Sequence, residues 1–331
     1  MRALRLSTPG PLTEASLRLV EAPRPELDPT SLRLRVHACG VCHTDLHIVE
    51  GELPPKKLPI TPGHQVIATV IETGRAVTRF KIKDRIGVPW LNWACGECEF
   101  CKRSEENLCD RARFTGWDVD GGYADEMIVD ERFAVAIPPA FTDTQAAPLL
   151  CAGIIGYRSL RKADLQPGEH LGLFGFGASA HLAIQIARHW NCPVSVFTRR
   201  AEHRALADSL GAAWTGALDQ SPPRLLDRAI IFAPAGEIVP LALSHLRKGG
   251  TLAINAIHLS QIPAMDYNLI YGERTVRSVA NATRRDADEF LPLAAQIPIR
   301  TEVQTFPLAE ASRALLALQR SEIKGAAVLM M

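Results

Sequence analysis

The sequence predicts an α/β protein with two domains, one rich in β-strands and one built on a parallel sheet. Residues 1–150 contain short strand patterns separated by many glycines and prolines. From residue 168 onward, apolar strands alternate with helical patterns, as they do in a parallel sheet with helical crossovers. A chain of 331 residues is also long enough for about two domains of ~150 residues.

Two stretches carry the strand predictions in the first region. SLRLRVHA (31–38) alternates along its length, and HQVIATVIETG (64–74) is rich in β-branched residues and stops at a glycine. In the second region the predicted strands are GEHLGLFGFG, PVSVFTRR, RAIIFAPAG and TLAINAIH, and the helices between them are ASAHLAIQIARHW, AEHRALADSLGA and EIVPLALSHLRKGG.

The residues beyond about 280 do not continue this alternation. RDADEFLPLAAQ and AEASRALLALQRSE predict helices, and TEVQTFPL and GAAVLMM predict strands. We therefore expect this last segment to return to the first domain.

Composition and charge exclude several classes of partner. Hydrophobic residues make up 47% of the chain, which is enough for a sizeable core. The net charge is +1, and charges of both signs are distributed along the chain without a basic cluster. We therefore expect neither a nucleic-acid partner nor a membrane. The amino-terminal residues have no apolar signal region, and the longest uncharged run, 171–187, is too short and polar to span a bilayer. Eight cysteines without an export signal predict a reduced, cytoplasmic protein.

Four of these cysteines lie within CGECEFCKRSEENLC, at Cys95, Cys98, Cys101 and Cys109. Gaps of two residues let neighbouring thiolates turn onto one ion, and four thiolates complete a tetrahedral zinc shell. A closed shell leaves no position for a substrate, so this loop is predicted to be scaffolding. Free thiols or an iron–sulfur cluster are the alternatives.

A glycine-rich turn predicts a dinucleotide site. In GLFGFGASA, Gly175 and Gly177 lie between a predicted strand and a predicted helix, followed by Ala178, Ser179 and Ala180. Such a turn lets a pyrophosphate approach the backbone, and the helix amino terminus offers it free N–H groups. The strand–turn–helix context makes this signal stronger than the bare motif.

The residues after the next strand bear on which cofactor is used. Enzymes that use NAD usually place Asp or Glu there, against the ribose 2′-hydroxyl, but this chain has Thr198, Arg199 and Arg200. Arginines can pair with a 2′-phosphate, so NADP(H) is favoured over NAD(H). Alternatively, the arginines only begin a solvated helix. We also assign Asn255 and Ile257, in TLAINAIH, to the cofactor site.

Taken in order, GVCHTDLH, PGHQ, the four-cysteine loop, DGGYADEM, CAGIIGY and GFGASA resemble the zinc-dependent medium-chain alcohol dehydrogenases, near the cinnamyl alcohol dehydrogenase branch. The resemblance covers essentially the whole chain. It implies a GroES-like catalytic domain formed by residues 1–151 and 281–331, with a doubly wound Rossmann domain at 152–280. It also implies a homodimer or homotetramer.

The resemblance implies two Zn²⁺ ions per chain. Cys42, His64 and Cys151 would hold a catalytic zinc, since two cysteines and a histidine are the known ligand set of alcohol dehydrogenases. The four-cysteine loop would hold a structural zinc. By resemblance, Thr44 hydrogen-bonds the alcohol oxygen, His47 carries the proton away, and Asp45 orients His64.

The same resemblance predicts the substrate and a further cofactor contact. Leu53, Trp90 and Trp117 fall where relatives line their substrate pocket, which favours an aromatic or medium-chain aliphatic primary alcohol or aldehyde. These three residues could instead be plain core. Lys324 falls where relatives place a cation on the pyrophosphate.

Three residues depart from the family pattern. Gln65 replaces the usual glutamate after the ligand histidine, and Ala68 and Lys83 replace common glycines. Lys83 would be strained if its φ were positive. A zinc-free quinone or enoyl reductase and a cofactor-binding protein without turnover are the competing hypotheses, and the presence of Cys42, His64 and Cys151 argues against the first.

Overall fold

Two sheets organise the protein, and they lie in two separate units of the chain. The computed structural model covers all 331 residues. The first unit comprises Met1–Cys151, Asn281–Ala295 and Arg300–Met331, and the second comprises Ala152–Ala280 and Gln296–Ile299.

The amino-terminal part of the first unit consists mostly of short strands. Its helices are α1 (His43–Glu50), α2 (Glu99–Lys102) and α3 (Asp143–Ala146). Its strands are β1 (Arg2–Arg5), β2 (Arg18–Glu21), β3 (Ser31–Val41), β4 (Val66–Thr73), β5 (Arg85–Val88), β6 (Leu91–Trp93), β7 (Arg113–Phe114), β8 (Glu126–Asp130) and β9 (Val135–Ala136).

The second unit alternates strands and helices around one parallel sheet. Its helices are α4 (Ala152–Lys162), α5 (Ala178–His189), α6 (Ala201–Ser209) and α7 (Ile238–Ser244). Its strands are β10 (Leu171–Phe174), β11 (Val194–Phe197), β12 (Trp214–Gly216), β13 (Leu226–Ile231), β14 (Leu246–Ile254) and β15 (Thr275–Ser278).

The strand order of this sheet defines its fold. The order is β12-β11-β10-β13-β14-β15, and every neighbouring pair is parallel. This is the 3-2-1-4-5-6 arrangement of a Rossmann fold. Every residue of β10 and β11 is buried, as expected for strands covered on both faces. The predicted α/β class, with a parallel sheet in its second half, is confirmed.

The carboxyl-terminal segment contains α8 (Arg284–Gln296), β16 (Val303–Pro307), α9 (Ala311–Gln319) and β17 (Ala326–Met330). β17 pairs antiparallel with β3 and parallel with β16. The main sheet of the first unit therefore has the order β16-β17-β3-β4-β5-β9, with β8 also on β3. None of the helices combines the length and the apolar character that a membrane span requires.

Lys83 adopts the left-handed backbone conformation, with a φ of 77°. Its side chain is exposed, and its N–H donates to the Val70 carbonyl at 2.8 Å. A side chain in this conformation costs about 1–2 kcal/mol. The replacement of a common glycine is therefore accommodated with backbone strain and without loss of the turn.

Replacing Lys83 with glycine should stabilise the protein. The relief of strain exceeds the loss of about 0.5–1 kcal/mol that glycine causes through its flexibility in the unfolded chain. We expect the free energy of unfolding, measured by urea titration, to rise by about 0.5 kcal/mol or more. Lys81→Gly, in the same turn but without a positive φ, is the control and should lower it. If Lys83→Gly and Lys81→Gly lowered the free energy of unfolding equally, the backbone strain at Lys83 would be refuted.

Candidate active site and metal centres

Cys42 begins α1, and its position is set by the local hydrogen bonds of that helix start. Its Sγ accepts from the Thr44 N–H at 3.4 Å, and its own N–H donates to the Asp45 carboxylate at 3.0 Å. The helix start also has a capping box with Asp45 at N3, in which cysteine takes the place that serine or threonine usually occupies. The same bonds that start the helix therefore fix the direction of the Cys42 thiol.

His64 lies directly against Cys42 and Asp45. Its Nε2 is 3.2 Å from the Cys42 Sγ, and its Nδ1 is 3.1 Å from the Asp45 Oδ1. The Gly63 N–H donates to the same oxygen at 3.2 Å, and both His64 and Asp45 are fully buried. A carboxylate on one ring nitrogen leaves the other nitrogen as a ligand, which is the usual arrangement behind a metal-bound histidine.

Cys151 completes this cluster. The ligand atoms of Cys42, His64 and Cys151 all lie within 4.8 Å of one another. The pKa of the Cys42 thiol lies well below its ordinary value because the Cys151 thiol donates to it and the His64 imidazole lies beside it. Two sulfurs and one imidazole nitrogen are a donor set that suits zinc and leaves a fourth position open.

The structure also brings the four loop cysteines together. The sulfurs of Cys95, Cys98, Cys101 and Cys109 lie within 4.8 Å of one another, and the Cys98 N–H donates to the Cys95 Sγ at 3.3 Å. Backbone N–H groups of Glu97 and Cys98 lower the pKa of the Cys95 thiol to about 6. A set of four thiols, one of them readily ionised, fits zinc in a closed shell.

His47, the residue expected to carry the proton, contacts a carboxylate that no sequence motif marks. Thr44 is half-buried next to Cys42, and His47 lies one turn further along α1. The Nδ1 of His47 is 2.5 Å from a carboxylate oxygen of Glu52. Glu52 follows the helix end at Gly51, which has a φ of 84°. Glu52 lies five residues after His47, outside the three- and four-residue spacings at which helical side chains meet, so no helical pattern marks this contact.

An aromatic cluster borders the Cys42–His64–Cys151 centre. The Trp90 ring lies edge-on to the His64 ring, with 4.9 Å between their centroids, and stacks on Phe114 at 5.1 Å and on Trp117 at 6.0 Å. Phe114 was not predicted from the sequence, because it lies on β7 with no motif around it. The stacked rings form one apolar wall beside the ligand histidine.

Leu53 and Trp117 are tied to this region by backbone contacts. The Leu53 N–H donates to the His47 carbonyl at 3.0 Å, and the Trp117 indole N–H donates to the Pro54 carbonyl at 2.8 Å. Both side chains are half-buried. Gln65 is buried, and its carboxamide packs against Gly40, where an added Cβ would lie 2.8 Å from the Gln65 Cδ.

The predicted dinucleotide turn lies between β10 and α5. Gly175 has a φ of 89°, and a Cβ there would also come within 3.1 Å of Ala233. Gly177 precedes α5 as its N-cap, and a Cβ there would meet no protein atom within 4 Å. No side chain caps α5, while Ala178 and Ser179 are half-buried and Ala180 is buried. The turn therefore leaves backbone N–H groups for an anion.

The other predicted cofactor residues occupy several places. Thr198 is buried, and Arg199 and Arg200 are exposed between β11 and α6. At the end of β14, the Asn255 side chain donates to the Ser159 Oγ at 2.8 Å, while Ile257 is 53% exposed. Lys324 belongs to the first unit and is exposed just before β17.

His181, in the first turn of α5, is a buried titratable group that belongs to no predicted site. It is 1% exposed, and burial disfavours its charged form, so its pKa falls to about 4. It is therefore neutral at physiological pH, close behind the dinucleotide turn.

Comparisons with known proteins agree with this architecture. The alcohol dehydrogenase GroES-like domain matches residues 28–139, and the zinc-binding dehydrogenase domain matches residues 180–296. A protein named probable alcohol dehydrogenase AdhA, from Mycobacterium tuberculosis, is 46% identical over 336 residues, covering 100% of this chain and 97% of the relative.

Solved structures show the same fold. An alcohol dehydrogenase from Pyrobaculum aerophilum, solved with cobalt and zinc bound, is 26% identical with a TM-score of 0.90, covering 100% of this chain and 99% of that chain. A cinnamyl alcohol dehydrogenase from Sorghum bicolor is 24% identical with a TM-score of 0.91, covering 99% of this chain and 97% of that chain.

The fold and the domain matches define a zinc-binding dehydrogenase. More specifically, the chain belongs to the zinc-dependent medium-chain alcohol dehydrogenase family. It is an oxidoreductase that interconverts alcohols and aldehydes.

Asp45→Asn should weaken metal binding at the Cys42–His64–Cys151 cluster. An amide cannot accept from Cys42, Gly63 and His64 as a carboxylate does. We expect zinc affinity at this cluster to fall about 10–100-fold, measured by competition with a chromophoric chelator. Asp125→Asn, which removes a carboxylate paired with Arg2 at the surface, should leave it unchanged. Retention of the wild-type affinity by Asp45→Asn would refute this role.

His181 should make stability depend on pH in the acidic range. Its folded-state pKa of about 4 lies below the unfolded value of 6.5, so the unfolded chain binds more protons between these values. Stability is therefore fully present above pH 6.5 and falls as pH decreases. We expect His181→Leu to remove a slope of about 1.4 kcal/mol per pH unit in this window, measured by urea unfolding. Identical slopes in both proteins would contradict the burial argument.

Proposed function

We propose that the chain is an NADP(H)-preferring alcohol dehydrogenase or aldehyde reductase with one catalytic and one structural zinc. The observation that carries the proposal is the cluster of Cys42, Cys151 and the buried His64, with Asp45 bonded to the far side of the histidine. A closed four-thiol cluster elsewhere supports the second ion. In this proposal the set of two thiols and one imidazole serves catalysis, and the set of four thiols serves stability.

The residues of the first cluster have distinct roles in this proposal. Cys42, His64 and Cys151 would hold zinc, which when bound polarises a carbonyl or stabilises an alkoxide. Asp45 keeps the His64 imidazole in the tautomer and orientation that present Nε2. The aromatic wall of Trp90 and its neighbours excludes water from that side.

The proton would leave through α1. Thr44, next to the Cys42 thiol, would hydrogen-bond the alcohol oxygen, and His47 would take up the proton. Glu52 contacts the His47 Nδ1, so it can stabilise the imidazolium once the proton has arrived. The Glu52 side chain is half-exposed, which gives the proton a route to solvent.

The loop after β11 supports the choice of NADP(H). Arg199 and Arg200 are exposed there, and no acidic residue lies among 198–200. Arg200 is the N-cap of α6, which no side chain caps. Two guanidinium groups beside a helix amino terminus favour a phosphate dianion over a hydroxyl. Gly175 and Gly177 would serve the pyrophosphate.

The apolar wall supports an aromatic or medium-chain aliphatic substrate. Phe114 and Trp117 both stack on Trp90 beside His64, and Leu53 follows α1 with its N–H bonded to the His47 carbonyl. Flat aromatic faces suit another ring or a methylene chain better than the hydroxyl groups of a sugar.

Assembly and location are further parts of the proposal. β15 is an edge strand with Val276 exposed, and Tyr267 and Tyr271 just before it are 70% and 65% exposed. Such an edge supports a homodimer or homotetramer. The cysteines are all unpaired, which supports a reducing compartment such as the cytoplasm.

The first test is zinc stoichiometry together with cofactor preference. We expect two zinc ions per chain and turnover of an aromatic aldehyde, with a kcat/KM at least about tenfold higher for NADPH than for NADH, since loss of a charged phosphate contact costs that much. One zinc without turnover would refute the catalytic assignment, and an equal or higher kcat/KM for NADH would refute the cofactor assignment.

Two matched variants separate the metal centres. Cys151→Ser should lose one zinc and nearly all activity while keeping its melting temperature. Cys98→Ser should lose the other zinc and several degrees of melting temperature, because a structural zinc contributes to folding. A Cys98→Ser protein with unchanged zinc content and stability would refute the structural site.

A further inference from the structure

A third arginine shapes the loop between β11 and α6. The Nη1 of Arg204 donates to the Thr198 carbonyl at 2.9 Å and to the Arg199 carbonyl at 3.0 Å. Arg204 is half-buried on α6, whereas Arg199 and Arg200 are exposed. The Thr198 N–H donates to the Gly216 carbonyl on β12 at 2.9 Å. The loop is therefore held from the sheet side and from the helix side.

These bonds restrict the loop in the way that phosphate recognition requires. Two carbonyls bound by one guanidinium fix two successive peptide planes. Fixed planes set the directions in which the Arg199 and Arg200 side chains leave the backbone. The guanidinium also offsets the partial negative charge of two carbonyl oxygens that would otherwise oppose a nearby phosphate.

We propose that Arg204 is a positioning residue for the preference between NADPH and NADH. It acts through the backbone of Thr198 and Arg199 and does not itself touch the cofactor. The inference rests on the proposed use of NADP(H), and it goes beyond that proposal by naming the residue that holds the phosphate-binding loop in place. Loss of this residue should penalise only ligands that carry the 2′-phosphate.

The test compares Arg204→Met with Arg188→Met. Arg188 is a matched control, because its Nη1 also donates to a backbone carbonyl of the second unit, that of Leu210 at 3.0 Å. Affinities for 2′-AMP and 5′-AMP are measured by calorimetry, and kcat/KM is measured with NADPH and NADH. We expect Arg204→Met to weaken 2′-AMP binding and NADPH use about tenfold, with changes below about twofold for 5′-AMP and NADH. Arg188→Met should change neither the ratio of 2′-AMP to 5′-AMP affinity nor the ratio of kcat/KM for NADPH to that for NADH.

A conservative variant protects the test against simple misfolding. Arg204→Lys keeps the charge but loses the planar fork, so we expect an intermediate loss for 2′-AMP and a melting temperature close to the wild type. Equal losses for 2′-AMP and 5′-AMP, or no loss for either, would overturn the role of Arg204. A wild-type kcat/KM for NADH equal to or above that for NADPH would instead overturn the NADP(H) preference itself.

Discussion

The buried carboxylate of Asp45 is the interaction on which the candidate active site depends. It accepts hydrogen bonds from the Cys42 N–H, the Gly63 N–H and the His64 ring. A fully buried charge is tolerated only when it is surrounded by donors, and here the donors come from the start of α1 and from the turn before β4. The Asp45 side chain therefore caps α1, fixes the turn at Gly63 and orients His64 as a metal-binding residue. The sheet brings these parts together, because the register of β3 and β4 pairs Cys39 with Val66.

In the proposed function, the two cysteine clusters would both bind zinc but would use it differently. The four thiols of residues 95–109 lie within 4.8 Å of one another, on a loop whose only α-helix, α2, has four residues. Such a loop has little apolar surface of its own, so a metal is an effective way to stabilise it. The Cys42 cluster instead supplies three donors, lies deeper, and has aromatic rings on one side. A catalytic zinc would require that incomplete shell, and a structural zinc would require the complete one.

In the second unit the sheet acts as a rigid platform for the cofactor loops. Apart from Lys324, the predicted cofactor residues follow β10, β11 and β14, so they come from the carboxyl ends of parallel strands and share one edge of the sheet. Burial of both faces of β10 and β11 keeps the strand ends in place. Arg204 bonds two backbone carbonyls of one of these loops, so in the proposed role discrimination between cofactors would depend on backbone geometry as well as on charge.

The sequence by itself determined the features that depend on near neighbours. The strand alternation of residues 31–38, the helix–strand alternation after 168, the four-cysteine spacing and the glycine turn are all local, and each follows directly from the order of residues along the chain. Joining positions 42, 64 and 151 required a family resemblance, because no local spacing connects them. Only the tertiary structure decided which side chains meet across elements: Glu52 on His47, Phe114 behind Trp90, and Arg204 on the carbonyls before α6. Such meetings are set by sheet register, by a left-handed turn and by side-chain reach, none of which leaves a periodic signal in the chain.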